Sequence, residues 1–263
     1  MFNKNELLLD RVRSLTTHDL ATGQMLFRLT SLEDPSLQCT AEGEEVTDAI
    51  GAVITTLYRA KKATFSAKNS LISLDLAAAQ YGTQKEVADT NNKILDTTYE
   101  ILTVTGEQGE VVKTRNAPKD SAKVLWVYSI VDNEVGTAYR AGSTASATEF
   151  VIAADGTITP PTGFVGKLYV EYQYETENAI RIVNKASNFP NSCSMIIYAY
   201  FKDKCNDNLT YSGKIISPKA KLNPEQVELA LTSTGKHAFE FTMMKDYCAD
   251  EDNDELFSII ISA

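Results

Sequence analysis

Two acidic runs, two histidines and four cysteines are the groups in this sequence whose types and spacing could do chemistry. The run ADEDNDE sets Asp250, Asp252 and Asp254 at alternate positions, as the start of a calcium-binding loop does. The glycine such a loop needs at its sixth position and the glutamate at its twelfth are missing, and Ile260 and Ile261 stand near the latter place. The run therefore reads as a solvated acidic turn between two strands. In AEGEEVTDAIG, Glu42, Glu44, Glu45 and Asp48 crowd together. Two readings of that segment stay open: an acidic lining or cation site, and a charged loop face turned to solvent. His18 and His237 have no Cys, Asp or second His at ligand or triad spacing, so structural or surface roles are expected. Cys39, Cys193, Cys205 and Cys248 are far apart and form no CxxC pair, which fits neither a zinc site nor a disulfide framework; reduced thiols are expected. Walker, GxGxxG and GxSxG patterns are missing too. No catalytic residue, metal or cofactor is assigned, and no enzymatic activity is expected.

The composition bounds the rest. At 263 residues and 43% hydrophobic content the chain can build a real core, as one large β domain or two smaller ones. A formal charge of −10 works against phosphate neutralisation, so nucleic-acid binding is disfavoured. MFNKNELLLDRVRSL does not read as a secretory signal and no later run reaches membrane-spanning length, so a soluble protein made in a cytoplasm is expected, with no membrane partner.

The elements that must position these groups are mostly strands. Gly51 to Gly82 reads as a hairpin and a helix: strands at Val53 to Arg59 and Lys62 to Ser66 around a basic turn at Ala60 and Lys61, then a helix capped by Asn69 or Ser70 and ended by Gly82. Leu71, Leu74, Ala78 and Tyr81 fall on one side of it. Leu7, Leu8, Val12 and Leu15 allow a short amphipathic helix or a terminal arm, of which the arm is preferred. Gln24 to Thr30 is a strand, Asp34-Pro35-Ser36 marks a loop, Leu37 to Thr40 allows a strand, 83–98 is a loop or frayed helix, and Tyr99 to Thr105 is a strand.

Between Val111 and Thr176 short strands and turn signals recur, with an Asp155-Gly156 hairpin and clean alternation through Leu168, Val170, Tyr172 and Tyr174. MIIYAYF (Met195 to Phe201) is apolar enough to need burial on both faces or a subunit interface, and Asn223, Pro224 and Gln226 start a short helix. Phe239, Phe241 and Met243 lie on one strand face, and LFSIIISA ends in an apolar strand that needs a partner. Tyrosines crowd the second half, and their faces suit sugars, proteins or plain strand packing equally. The expected fold is mainly β: a β-sandwich or barrel with one or two short helices over 1–105 and 177–263, and an additional small β subdomain, inserted or appended, over 106–176.

The run EVTDAIGAVITTLYRAKKATFSAKNSLISLDLAAAQYG, followed by FPNSCSMIIYAYFKDKC, SGKIISPKAKLNPEQVELAL and HAFEFTMMKDYC, resembles virion structural proteins of tailed bacteriophages, and among them the tail-tube (major tail) protein family. Pro218, Lys219, Ala220 and Lys221, then Phe239, Glu240 and Phe241, stand where such proteins carry a strand leading to an FEF-type strand. The resemblance implies a virion protein, assembled in the host cytoplasm, that joins itself in hexameric rings stacked into a hollow tube. DNA would pass without specific binding, and sheath, baseplate or terminator proteins would be neighbours. On that reading Glu42, Glu44, Glu45 and Asp48 would line the lumen, and Tyr58, Lys61, Lys62, Phe65, Tyr198, Tyr200, Ile259 and Ile261 would serve subunit contacts. A capsid decoration or head-completion protein is the first alternative and a carbohydrate-binding or adhesin module the second.

Overall fold

The computed structural model describes residues 6–204, 206, 208–224, 228, 229, 232, 235–247 and 254–262. Cys205, Cys248, Asp250, Asp252, Gln226 and the first five residues lie outside them. The chain is mainly β with one α-helix among the described residues, and it divides into two compact units, Met1–Lys85 with Ile182–Ala263, and Glu86–Arg181.

The larger unit opens with β1 (Leu7–Asp19), β2 (Met25–Leu29), β3 (Leu32–Thr47), β4 (Val53–Asn69) and α1 (Leu74–Gln80). The N-terminal segment is neither helix nor arm. It is a strand bonded on both sides, with Leu15 opposite both Leu29 and Ile197. Two ladders outweigh the weak helical spacing of its leucines. The expected turn at Ala60 and Lys61 is a bulge inside one unbroken strand. Ala60 takes φ 50, and the register steps from Thr40↔Lys62 to Glu42↔Arg59, so two residues of β4 oppose one of β3. The hairpin turns instead at 48–52, where Asp48 Oδ1 accepts from the Ile50 and Ala52 amides at 3.0 and 2.8 Å and Gly51 supplies φ 86. Asp34-Pro35-Ser36, expected as a loop, is likewise a bulge within β3.

Helix α1 begins one turn later than expected. Ser73 is its cap, its hydroxyl accepting from the Leu76 amide at 3.3 Å, while Asn69 closes β4. Leu76 enters the core, whereas Leu71 and Leu74 are exposed. Gly82 follows at φ 61, so close to Phe189 that a Cβ there would sit 2.1 Å from its carbonyl oxygen.

The smaller unit holds β5 (Glu86–Val87), β6 (Ile94–Val104), β7 (Val112–Lys113), β8 (Trp126–Val131), β9 (Glu134–Ala141), β10 (Glu149–Ile152), β11 (Thr157–Thr159), β12 (Gly166–Thr176) and β13 (Ile180–Arg181). Seven of these form a sheet in the order β6-β12-β8-β9-β10-β11-β7, and β5 pairs with β13 apart from it. The Asp155-Gly156 turn joins β10 and β11, and the alternation of β12 puts Leu168, Val170 and Tyr172 inside with Val127, Phe150 and Ile158. The division lies at 85/86 and 181/182, where the sequence placed it at 105/106 and 176/177. The strand responsible is β6, which pairs with β12 over eleven registered positions from Ile94 to Val104. Its partner is remote in sequence, so local signals leave it with the preceding segment.

The chain then returns to the larger unit with β14 (Ser192–Asp203), β15 (Thr210–Leu222), β16 (Glu228–Leu229), β17 (His237–Met243) and β18 (Ser258–Ser262). The antiparallel order is β2-β1-β14-β15-β17-β4-β3, with β16 on β17 and β18 on β15. β14 is buried on one face only: Met195, Ile197 and Ala199 point inward, and Ile196, Tyr198 and Tyr200 are half-buried on the other side. Phe27 on β2 and Phe241 on β17 are four strands apart in the sheet, yet their ring centroids are 6.5 Å apart, so the sheet curls round its own core. Leu15, Phe65, Leu76, Met195, Ile197 and Phe239 fill that core.

Phe241 is fully buried between Phe27 and Phe239. Phe241→Ala is expected to cost about 3–5 kcal/mol of stability, read by denaturant unfolding of the unassembled chain; a cost under about 1 kcal/mol would deny this ring its place in the core.

Candidate self-assembly surfaces

The feature that sets the larger unit apart is what β3 and β4 do beyond the core. From Ala63 to Asn69, β4 lies between β3 and β17 and its side chains alternate in and out. From Gln38 to Lys62 every residue is exposed except Thr56, which is half-buried. The ladder nevertheless continues, Gly43 facing Tyr58 and Glu45 facing Thr56. The result is a two-stranded ribbon bare on both faces, displaying Val46, Ile50, Val53, Ile54, Leu57 and Tyr58, with Tyr58 74% and Ile50 90% exposed. The Tyr58 ring lies over Gly43, where a Cβ would come within 3.3 Å of its Cε1. An isolated two-stranded ribbon is marginal in water, and clustered exposed apolar side chains mark interaction surfaces.

The acidic run sits on this ribbon, not in a loop. Strand alternation divides it: Glu42 and Glu44 share a face, Glu45 points to the other, and Asp48 is spent on the turn. Arg59 is 3.8 Å from Glu44, both largely exposed, an ion pair of small energetic value. Among the described residues no group of three or more His, Cys, Asp or Glu gathers into a metal site.

The other residues expected at subunit contacts scatter. Lys61 and Lys62 are exposed at the β4 bulge. Phe65 does not serve a surface: it is 2% exposed, because with no turn at Ala60 and Lys61 the strand's alternation carries it inward beside Phe239. Tyr198 and Tyr200 are half-buried on the outer face of β14, with the Arg11 and Arg13 guanidinium groups 5.6 and 5.7 Å from the Tyr200 ring. Ile259 is exposed and Ile261 half-buried on β18, which among the described strands is paired to β15 alone. Apart from Tyr58, the apolar side chains of the ribbon were the residues that sequence reasoning missed as surface, since β-branched residues in alternation ordinarily signal a half-buried strand.

A model of the YomU/Tube protein family matches residues 7–256, a span that takes in both units and the whole ribbon. The chain belongs to the YomU/Tube family. This is a family of phage tail-tube-like proteins, so the resemblance read from the sequence holds at family level, and the chain is a virion component. No curated protein matches this YomU/Tube family member.

Two groups suited to chemistry turn out to be structural in this YomU/Tube fold. Cys193 is buried in the core, which pushes its thiol up to about 12, while Cys39 is exposed; both are free. His237 is fully buried at the start of β17. Its Nδ1 accepts from the Ser73 amide at 3.4 Å and its Nε2 lies 2.6 Å from Gln80 Oε1, so the neutral ring ties both ends of α1 to the sheet. Burial lowers its pKa to about 4. The unfolded chain, with His near 6.5, binds the proton more readily, so this contribution to stability is complete above about pH 6.5 and is lost as pH falls towards 4. The loss is on the order of 3 kcal/mol. His237→Gln should remove one proton's worth of pH dependence from the unfolding free energy in that window; equal slopes for parent and variant would contradict the assignment.

Proposed function

We propose that this YomU/Tube protein joins itself in hexameric rings that stack as a phage tail tube, and that DNA passes through without specific binding. The observation that supports this reading is the ribbon of β3 and β4: a continuous extension of the core sheet with exposed apolar side chains on both faces and, among the described residues of its own unit, none packed over them. A ribbon of that kind gains from lying against neighbouring copies, and burying its apolar side chains there returns about 25 cal/mol per Å² removed from water. The role is mechanical, with no catalytic step and no cofactor. Sheath, baseplate or terminator proteins are its neighbours in the tail, and assembly takes place in the host cytoplasm.

Replacing residues 41–61 by Asn-Gly joins Thr40 to Lys62, which face each other in the ladder, by a two-residue hairpin turn. The variant should keep the far-UV spectrum of a folded β protein yet remain monomeric by light scattering and form no rings or tubes by electron microscopy. Tubes assembled without the ribbon would overturn its role.

The acidic run tests the lumen. Like charge on a wall holds DNA off, over a Debye length of about 30 Å at 0.01 M salt and about 3 Å at 1 M. If the face with Glu42 and Glu44 turns to the lumen, tubes of the double Lys variant should retain DNA at low salt and release it as salt rises, while Glu45→Lys tubes should not. The reverse result assigns the opposite face, and no retention by either removes the ribbon from the lumen.

A further inference from the structure

The smaller unit carries an aromatic face that the tube reading does not use. On the side of its sheet turned away from the core, Tyr99 of β6, Tyr169 of β12 and Tyr128 of β8 lie in a row across three adjacent strands. The Tyr99 and Tyr169 rings stack at 5.3 Å and 21°, and Tyr128 meets Tyr169 at 6.4 Å and 60°. Two residues before Tyr128, on the same face of β8, stands Trp126, 47% exposed. Trp126 and Tyr128 wall one side of a cleft of about 390 Å³, within the size range of small-ligand sites.

The polar groups of the cleft narrow the ligand's chemistry. Thr97 and Gln173 face each other across β6 and β12; the Gln173 amide donates to the Thr97 hydroxyl at 3.4 Å, which occupies one of its two N–H groups and leaves its carbonyl oxygen for other partners. The cleft's own lining balances, Lys119 and Lys123 against Asp120 and Glu171, with Lys123 3.8 Å from Asp120 and the Glu171 carboxylate accepting from the Tyr169 hydroxyl at 3.2 Å. The surroundings therefore favour neither an anion nor a cation.

Aromatic rings, Trp126 and Tyr99 exposed and Tyr128 and Tyr169 half-buried, stand beside planar amide and hydroxyl groups with no net charge, and match a molecule that has an apolar C–H face and a rim of hydroxyls. We propose that this face binds a neutral glycan: one sugar ring stacks on Trp126 and Tyr128 with its hydroxyls at Gln173 and Thr97, and the chain of sugars runs on over Tyr169 and Tyr99. A row of rings across three strands suits an extended oligosaccharide better than a single sugar. The site would add contact with a cell-surface glycan to the tube role, and it stands whether or not that role does.

Trp126 is the only tryptophan in the chain, so its emission reports occupancy of the cleft without a label. The full-length protein is titrated with linear glucan oligomers and with β-linked N-acetylhexosamine oligomers, whose equatorial substituents leave the C–H faces clear. A saturable change in emission is expected with at least one series, tighter for longer oligomers. Tyr128→Ala should weaken it about tenfold, and Gln173→Ala, an exposed substitution that spares the core, should weaken it as well. Tyr247→Ala, in the larger unit, should bind as the parent does. No saturation below about 10 mM with either series would overturn the proposal. So would Gln173→Ala binding indistinguishable from the parent, or emission that varies with protein concentration and not with sugar, which would make the face a contact between copies of the chain.

Discussion

Strand β4 is held by two ladders along its inner half and by one along its outer half, and the character of the larger unit follows from that difference. Where β17 flanks it, from Ala63 to Asn69, alternate side chains meet Phe239 and Phe241 and the strand is core. The β17 ladder stops at the Met243↔Ala63 pair, and the Ala60 bulge follows at once. Bulges sharpen twist and bend a strand, so this one re-aims the ribbon just where the second ladder gives out. The ribbon is nonetheless covalently and hydrogen-bond continuous with the barrel-like sheet. The backbone hydrogen bonds of its ladder are made within the chain, so what a partner would supply is cover for its side chains.

The sequence made some of this legible and hid the rest for physical reasons. Alternation through Leu168, Val170 and Tyr172, the Asp155-Gly156 turn and the Phe239-Phe241-Met243 face were readable because each depends on neighbours in the chain. The continuity of β4 was not, since a residue with positive φ and two lysines look alike in a turn and in a bulge; only the facing register of β3 separates them. β1 was hidden because Leu8, Val12 and Leu15 satisfy a helical spacing as well as a strand, and its two ladder partners lie far along the chain. The acidic run was visible as a cluster, but its division between two faces needs the strand assignment that the loop reading withheld. The His237 tie between Ser73 and Gln80 spans more than 150 residues and leaves no local trace.

The smaller unit shows how a module is accommodated within another's chain. Its incoming and outgoing segments, β5 and β13, pair with each other, Val87 opposite Ile180 and Glu86 opposite Arg181. The Arg181 guanidinium reinforces the pair, its Nε and Nη2 donating to Glu86 Oε2 at 2.8 and 2.7 Å. With both ends clamped side by side, the module demands little more of its host than a loop does, which is the condition under which domain insertions are tolerated.

The edges of the larger sheet bear on how copies can meet. β2 is a short edge of five residues, whereas β3 offers sixteen residues bonded, among the described strands, on one side only. A long bare edge is a template for uncontrolled pairing unless charge, proline or bulges interrupt it. β3 carries all three: Pro35, the bulges near Asp34 and opposite Ala60, and Glu33, Glu42, Glu44 and Glu45. A second copy offering its own β3 edge would bring the same carboxylates against these, and like charges facing across strands destabilise. Two-fold, edge-to-edge pairing is therefore disfavoured. A different surface with basic groups, such as Arg59, Lys61 and Lys62 on the exposed part of β4, is complementary. Contacts between unlike surfaces are heterologous, and heterologous contacts are the kind that close into rings or extend into filaments. On the proposed self-assembly, the acidic run would act in the choice of partner whichever way its carboxylates face.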